Sequence, residues 1–388
     1  MSKNALVFGA SGITGWSVVN ELLSTSDDAQ CFDRVIALTV RRLDAEAALW
    51  PESSKLQVVD GVDLTRGSKN DLASILRDKV PSIGSVTHLF FNSYKWAQDP
   101  KVESLVNSSM LERAVMVIEE LCPKFEYLVL PTGTKAYGMH LLENFPYGDR
   151  LPLTEDLPRL PEPHASEMFY YWETDTLDRL SQDKTWTWCE VRPDLVVGFV
   201  PNDNAHCLAQ TLAIYLSLYR EVNGKNSKVP WPGTAKSYKV LSSQTSQDML
   251  AKFSVWASLH PQLTGNGEAF NVLDSNRPST WEERWHTICS LFDLEGIGYV
   301  EGTPSAESFM MTHRAKWDEL TETHGLKSGH IDNNVANPYF FKNMLTLFDY
   351  DHQASMEKAY KLGFQASWDD RRSWDIAFQR FRMAKIIP

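Results

Sequence analysis

ALVFGASGITG, residues 5–15, is the stretch on which the reading of the whole chain turns. Its first five residues form a short apolar run, the signature of a buried strand, and glycines follow at Gly9, Gly12 and Gly15. Without a Cβ, these positions allow a tight turn, close approach of backbone N–H groups to a pyrophosphate, and close packing of the next helix on the strand. The helix, expected to begin near Gly15, presents its N-terminal donors and partial positive charge to the same phosphates. Ile13 and Thr14, between the last two glycines, are assigned to this contact. A tight turn with no ligand is the alternative. Its place directly after a strand in an α/β pattern favours a bound dinucleotide.

Working outward, further apolar runs occur at residues 34–40, 56–64, 85–93, 126–134 and 187–199. Segments such as GWSVVNELLS, KNDLASILRDK and MLERAVMVIEELC lie between them, with apolar residues three and four apart. Strands alternating with helices predict a Rossmann-type doubly wound parallel sheet in an α/β fold. Residues 1–200 are read as the dinucleotide-binding domain. After Pro201 the pattern shifts to longer helical segments with Pro and Gly breaks, so residues 201–388 are read as a smaller, mainly helical substrate domain. Residues 235–260 and 279–292 read as helical there, and EAFNVLD (268–274) reads as a strand returning to the sheet.

The charge of −12 argues against broad binding to nucleic acid or to an anionic membrane, because phosphates are repelled over most of the surface. Cys31, Cys122, Cys189, Cys207 and Cys289 contain no CxxC pair, and none of the ten His residues falls in a metal spacing. Neither a disulfide frame nor a metal site is expected. No secretion signal and no apolar run of membrane-spanning length is found, which predicts a cytoplasmic protein acting on a small neutral molecule. A homodimer is compatible with the sequence. The thirteen Trp residues are candidates for core or pocket.

The second strand ends in TVRRLD. An acid is usual at this position where NAD is selected, because it accepts from the ribose hydroxyls, whereas Arg41 and Arg42 suit a 2′-phosphate. NADPH is therefore the expected cofactor, with Asp44 the one residue speaking for NAD. Asp63 and Leu64, after the third strand, are placed near the adenine. The strand EYLVLPTGT runs into Lys135 at the carboxyl edge of the sheet, where open α/β folds bind ligands. Thr132 and Gly133, on that turn, are assigned to the cofactor.

EMFYYWETD, residues 167–175, poses the chemical problem. A short-chain reductase normally carries a lysine four residues after its tyrosine, but Thr174 follows Tyr170 and Asp175 follows Tyr171. A phenol of ordinary pKa near 10 needs a cation nearby to act as an anion or to strengthen its hydrogen bond at neutral pH. Lys135 is expected to supply that charge from the strand end. Tyr170 is then the catalytic phenol, and Tyr171 a packing residue.

The ordered set GASGITG, VRR, LPTGTK, LTEDLPRLP, MFYY, RPDLVVGF and AKIIP resembles the progesterone 5β-reductase and iridoid synthase-like family of atypical short-chain reductases. The resemblance runs over nearly the whole chain. It implies that Lys135 and Tyr170 are the active pair, that Val197 lies in the cofactor segment, and that the reaction is NADPH-dependent reduction of an enone or enal C=C bond in an apolar metabolite. Met168 replaces an Asn of the family's plant members, Asp194 replaces the Gly of RPG, and WETD replaces a pair of adjacent acids. These departures bear on the substrate. Tyr94 and Met310 are candidate pocket residues. Carbonyl reduction, cofactor-assisted cyclisation or rearrangement, and NADPH sensing without turnover are the competing functions.

Overall fold

A computed structural model describes residues 3–43, 45–201, 207–327 and 338–388. Strand β1 (Lys3–Phe8) leads through the glycine turn into α1 (Ile13–Leu22), which starts two residues earlier than the sequence suggests. The other strands of the main sheet are β2 (Phe32–Leu38), β3 (Leu56–Val59), β4 (His88–Phe91), β5 (Tyr127–Pro131), β6 (Thr187–Pro193) and β7 (Glu268–Val272). They pair in parallel in the order β7-β6-β5-β4-β1-β2-β3. The chain winds outward from β1 in one direction and from β4 in the other. A crevice between the carboxyl ends of β1 and β4 follows, and ligands bind at such a switch point.

The helices that matter below are α2 (Lys69–Lys79), α3 (Pro100–Leu121), α4 (Phe169–Ser181), α5 (Leu208–Asn223), α6 (Gln247–Leu259), α7 (Trp281–Ser290) and α8 (Asp370–Met383). Side chains alternate between the faces of a strand. Leu6 and Phe8 of β1 accordingly join Leu72 of α2, Leu111 of α3 and Leu177 of α4 in one core. Ala5 and Val7 join Val18 of α1 and Met249 and Phe253 of α6 on the other face. Both α6 and β7 thus belong to the sheet layers although they follow residue 201. β7 is the returning strand anticipated at 268–274.

Local chemistry sets the helix ends. α3 begins ten residues before the apolar pattern suggests, because Asp99 accepts from the N–H groups of Lys101 and Val102 while Pro100 occupies the first helical position. The helical reading of 235–260 holds only from Gln247, where the Ser246 hydroxyl accepts from Met249 N–H. Thr280 and Glu283 form a reciprocal capping box on α7.

The third core lies in the C-terminal lobe. Trp231 sits with its ring centre 4.9 Å from Trp281 and 5.3 Å from Trp285, and Trp317 and Trp374 are buried with them. These indoles are core material. Arg380 of α8 grips Asp248 of α6 through two hydrogen bonds of 2.6 and 2.7 Å, tying the lobe to the sheet layers. The five cysteines are free thiols, and among the described residues no cluster suited to a metal ion and no helix long and apolar enough to cross a membrane is present.

Candidate active site

The three glycines of the turn have three different reasons to lack a side chain. Gly9 has φ +72°, and a Cβ there would lie 2.4 Å from the Asn92 carbonyl oxygen on β4's exit loop. A Cβ on Gly15 would lie 2.2 Å from the Gly9 carbonyl oxygen, so the helix could not approach the strand. A Cβ on Gly12 meets only the Gly9 oxygen at 3.4 Å, and its φ of −81° suits any residue. Nothing in the protein's own packing demands a glycine at 12. The space beside it is where a pyrophosphate would meet the α1 N-terminus, which has no side-chain cap. Ile13 and Thr14 are both partly exposed there. Buried polar atoms without described partners, Thr39 Oγ1 after β2 and both amide atoms of Asn92 after β4, stand at the same sheet edge. The residues present fit a dinucleotide.

Arg41 and Arg42 lie beyond the end of β2, exposed and unpaired with any described residue. Asp44 lies outside the described residues. The Asp63 carboxylate accepts from the N–H and hydroxyl of Thr65 at 2.9 and 2.6 Å, and these bonds hold its pKa down. The Leu64 side chain is buried in the core, leaving its backbone as the group available to an adenine. Val197 is likewise buried and pairs through its backbone with Ser246.

At the other end of the crevice, β5 runs into a short helical turn, Thr134–Tyr137, that carries Lys135. The Lys135 side chain is exposed at this edge of the sheet. Partial loss of solvation lowers its pKa, while the Glu103 carboxylate acts in the opposite sense. Lys135 Nζ lies 5.9 Å from the ring centre of Phe169, and the Phe169 and Tyr170 rings are 4.3 Å apart. The Tyr170 hydroxyl lies 3.1 Å from where a Gly133 Cβ would stand, which explains that glycine, and it makes no hydrogen bond to a described residue. Burial pushes the Tyr170 pKa up, and Glu173, Glu103 and Glu190 push in the same direction. The phenol is therefore a neutral donor at physiological pH. Burial is the chief reason, because it disfavours the charged phenolate.

Tyr171 points elsewhere. Its hydroxyl donates to the Ala136 carbonyl at 2.6 Å and accepts from Leu160 N–H at 2.9 Å, pinning the lysine-bearing turn to the LTEDLPRLP segment. In the same segment Glu155 accepts from Asn271 N–H on β7 at 2.7 Å. Thr132 donates to Glu190 at 2.6 Å, and Arg192, two residues on along β6, pairs with Glu190 at 2.7 Å. Asp194 is buried at the end of β6, where its Oδ1 accepts from Leu195 N–H at 2.8 Å and from the Thr134 hydroxyl at 3.3 Å. Its Oδ2 has no described partner, and burial raises its pKa.

Tyr94 stands at the rim, 47% exposed, with its ring 5.2 Å from Phe169. Met310 is 0% exposed within the core of the C-terminal lobe and presents no surface to a pocket. The buried acids Glu103, Glu173 and Glu190 were not singled out by sequence reasoning. Only Glu173 carries a local signal, three residues after Tyr170 on one helix. A recess of about 560 Å³ lined by Asn4, Ser82, Thr87 and Glu126 opens at the opposite, amino edge of the sheet, remote from these groups.

The sequence profile of the PRISE-like Rossmann-fold domain matches residues 5–388. The chain belongs to this family. It is an oxidoreductase of the short-chain dehydrogenase/reductase superfamily, as its relatives are. Short chain dehydrogenase sirQ of Leptosphaeria maculans is 31% identical, over 99% of this chain and 97% of its own. The 3-oxo-Delta(4,5)-steroid 5-beta-reductase of Arabidopsis thaliana is 26% identical, over 99% of this chain and 93% of its own. Among solved structures, Bordetella bronchiseptica WbmH in complex with NAD+ superimposes with a TM-score of 0.59 at 13% identity, covering 98% of this chain and 99% of the other, which speaks for the fold.

Proposed function

We propose that this protein is an NADPH-dependent reductase of an activated C=C bond, an enone or enal, in a small and largely apolar metabolite. The observation that carries the reading is the Tyr170 hydroxyl, left without a described hydrogen-bond partner and flanked with Lys135 around one aromatic ring at the carboxyl edge of the sheet. The relationship to a steroid 5-beta-reductase supports C=C reduction. Arg41 and Arg42, exposed after β2, support the phosphorylated cofactor.

The Gly12 turn, the α1 N-terminus and the two arginines would hold NADPH, which when bound would supply the hydride for the β-carbon. Tyr170 donates a hydrogen bond to the carbonyl oxygen of the substrate, where negative charge develops. A preorganised donor of this kind is worth about 2.7–4 kcal/mol of barrier. Its raised pKa suits the task, since the proton stays on the phenol until the oxygen becomes basic. Lys135 adds positive charge to the same region and would hold the ribose of the bound cofactor. Tyr171 positions Lys135 by fixing the Ala136 carbonyl beside it.

The deciding experiment follows NADPH and NADH consumption with a panel of enones, enals and saturated ketones, with products identified by mass and NMR. Saturation of the C=C bond with NADPH is expected. Consumption with saturated ketones alone would make the enzyme a carbonyl reductase, and NADPH binding without consumption would make it a sensor.

A further inference from the structure

Lys135 is exposed, and its ammonium lies over the Phe169 ring at 5.9 Å from the ring centre. Where that ammonium can reach is set by where the turn after β5 holds the lysine backbone. The turn leaves the sheet at Thr132, whose N–H donates to the Val191 carbonyl at 2.8 Å, and closes on Tyr137. Both ends are fastened to one ion pair. Glu190 and Arg192, two residues apart on β6 and therefore on one face of the strand, bond to each other at 2.7 Å with side chains only 5% and 14% exposed. The other Glu190 oxygen accepts from the Thr132 hydroxyl at 2.6 Å, and the second terminal nitrogen of Arg192 donates to the Tyr137 hydroxyl at 3.1 Å. That hydroxyl donates in turn to the Asn271 side-chain oxygen on β7 at 2.8 Å. Asn271 is a fixed point, because its amide nitrogen donates to the carbonyls of Leu153 and Ser355, both at 3.0 Å. The Arg192 guanidinium also lies 5.1 Å from the centre of the Tyr137 ring.

We propose that the Glu190–Arg192 pair is a positioning device for Lys135: through Thr132 and Tyr137 it fixes both ends of the turn, and with them the point from which the lysine reaches the reaction centre. The inference rests on the reading of Tyr170 and Lys135 as the active pair. Stability alone is a poor reason for such a pair, since apolar residues of like volume in place of a buried ion pair are often neutral or stabilising. Geometry is a better one. The planar fork of an arginine holds two partners at a fixed angle, whereas a lysine offers a single point of charge. The anchor is separate from Tyr171, which holds the Ala136 carbonyl from α4. Glu190, Arg192 and Tyr137 are positioning residues, and their effect on the reaction passes through Lys135.

Removing one member of the ion pair leaves a buried charge and threatens the fold, so the test cuts a neutral link. Tyr137→Phe keeps the ring and the ion pair and deletes only the hydroxyl between Arg192 and Asn271. Tyr127→Phe is the control: it deletes an equally buried hydroxyl, bonded to Thr264 at 2.8 Å at the opposite end of β5. Both should lose similar stability in urea unfolding. Tyr127→Phe should keep the parent's kcat and NADPH affinity, whereas Tyr137→Phe should lose about tenfold in kcat through misplacement of the lysine and about fivefold in NADPH affinity. Arg192→Lys, which keeps the charge but not the fork, should behave like Tyr137→Phe, and the two together should be little worse than either. In a Lys135→Met background, Tyr137→Phe should change neither quantity further, and the NADPH titration reads this even where turnover is too slow to measure. A folded Tyr137→Phe enzyme with the parent's kcat and NADPH affinity would overturn the proposal, as would the same loss of affinity with Lys135 absent. If Lys135→Met itself turns over and binds NADPH like the parent, the reading of the site has failed; an impaired Lys135→Met beside an unimpaired Tyr137→Phe defeats only the positioning role.

Discussion

Replacing Tyr170 by Phe removes one oxygen from the site and should separate catalysis from folding. The hydroxyl makes no hydrogen bond to a described residue, and the ring contact with Phe169 at 4.3 Å does not involve it. Folding stability should therefore be essentially unchanged, since no protein hydrogen bond is lost. Turnover should fall by the value of one oxyanion donor, about 2.7–4 kcal/mol or roughly 10²–10³-fold. NADPH affinity should persist. A conjugated aldehyde, activated more strongly, should retain more of its rate than a weakly activated enone. Tyr171→Phe is the built-in contrast, because its hydroxyl makes bonds of 2.6 and 2.9 Å to the backbone of Ala136 and Leu160. Leaving both groups unpaired costs about 1–3 kcal/mol each, so this variant should be the less stable of the two and the more active. Urea unfolding, fluorescence titration of NADPH and steady-state kinetics on both variants give the three readouts. Full activity of Tyr170→Phe on weakly activated enones, or a stability loss matching that of Tyr171→Phe, would refute the assignment of the two rings.

Other outcomes follow from the same geometry. Tyr170→Phe combined with Lys135→Ala should be little slower than either change alone, because groups acting as a unit are non-additive; independent multiplicative losses would place the chemistry elsewhere. Gly12→Val should fold normally, its Cβ meeting only the Gly9 oxygen at 3.4 Å, yet lose NADPH affinity by about 100-fold or more as the side chain fills the approach to the α1 N-terminus. Replacing Arg41 and Arg42 together by Ala should weaken NADPH binding by about 1.5–3 kcal/mol, discounted for their exposure, and leave NADH binding unchanged in calorimetric titration. His88, whose pKa burial pushes down to about 3, binds its proton more readily in the unfolded chain. Its contribution to stability is full above about pH 6.5 and is lost as pH falls toward 3, on the order of 2 kcal/mol by pH 5. His88→Gln should flatten that part of the stability–pH curve.

Much of this site was legible because its parts are local. A glycine turn is set by backbone geometry within a few residues, and Gly9 and Gly15 show the steric reasons directly. Lys135 follows from the end of an apolar run, since in a parallel sheet strand ends are ligand edges. The alternation of runs and helices led to the sheet, including β7, whose apolar pattern survives far from the rest. Boundaries were harder where a cap overrode periodicity, as with Asp99 and Pro100 on α3.

Tertiary structure decided the remainder. Adjacent positions on a helix point about 100° apart, so Tyr170 faces the cleft while Tyr171 reaches the Ala136 backbone, a distinction that depends on how α4 is seated. Leu64 and Val197 lie in apolar runs, but only the packed structure shows their side chains and that of Met310 turned into the core and away from a ligand. Glu103, Glu173 and Glu190 lie on α3, α4 and β6, up to 87 residues apart in a chain whose numbering puts them at 103 and 190. Their meeting point exists only once β4, β5 and β6 lie side by side with α3 packed on α4. Charge fields and burial act through space and not along the chain, which is why the environment of the Tyr170 phenol could not be read from its neighbours in sequence.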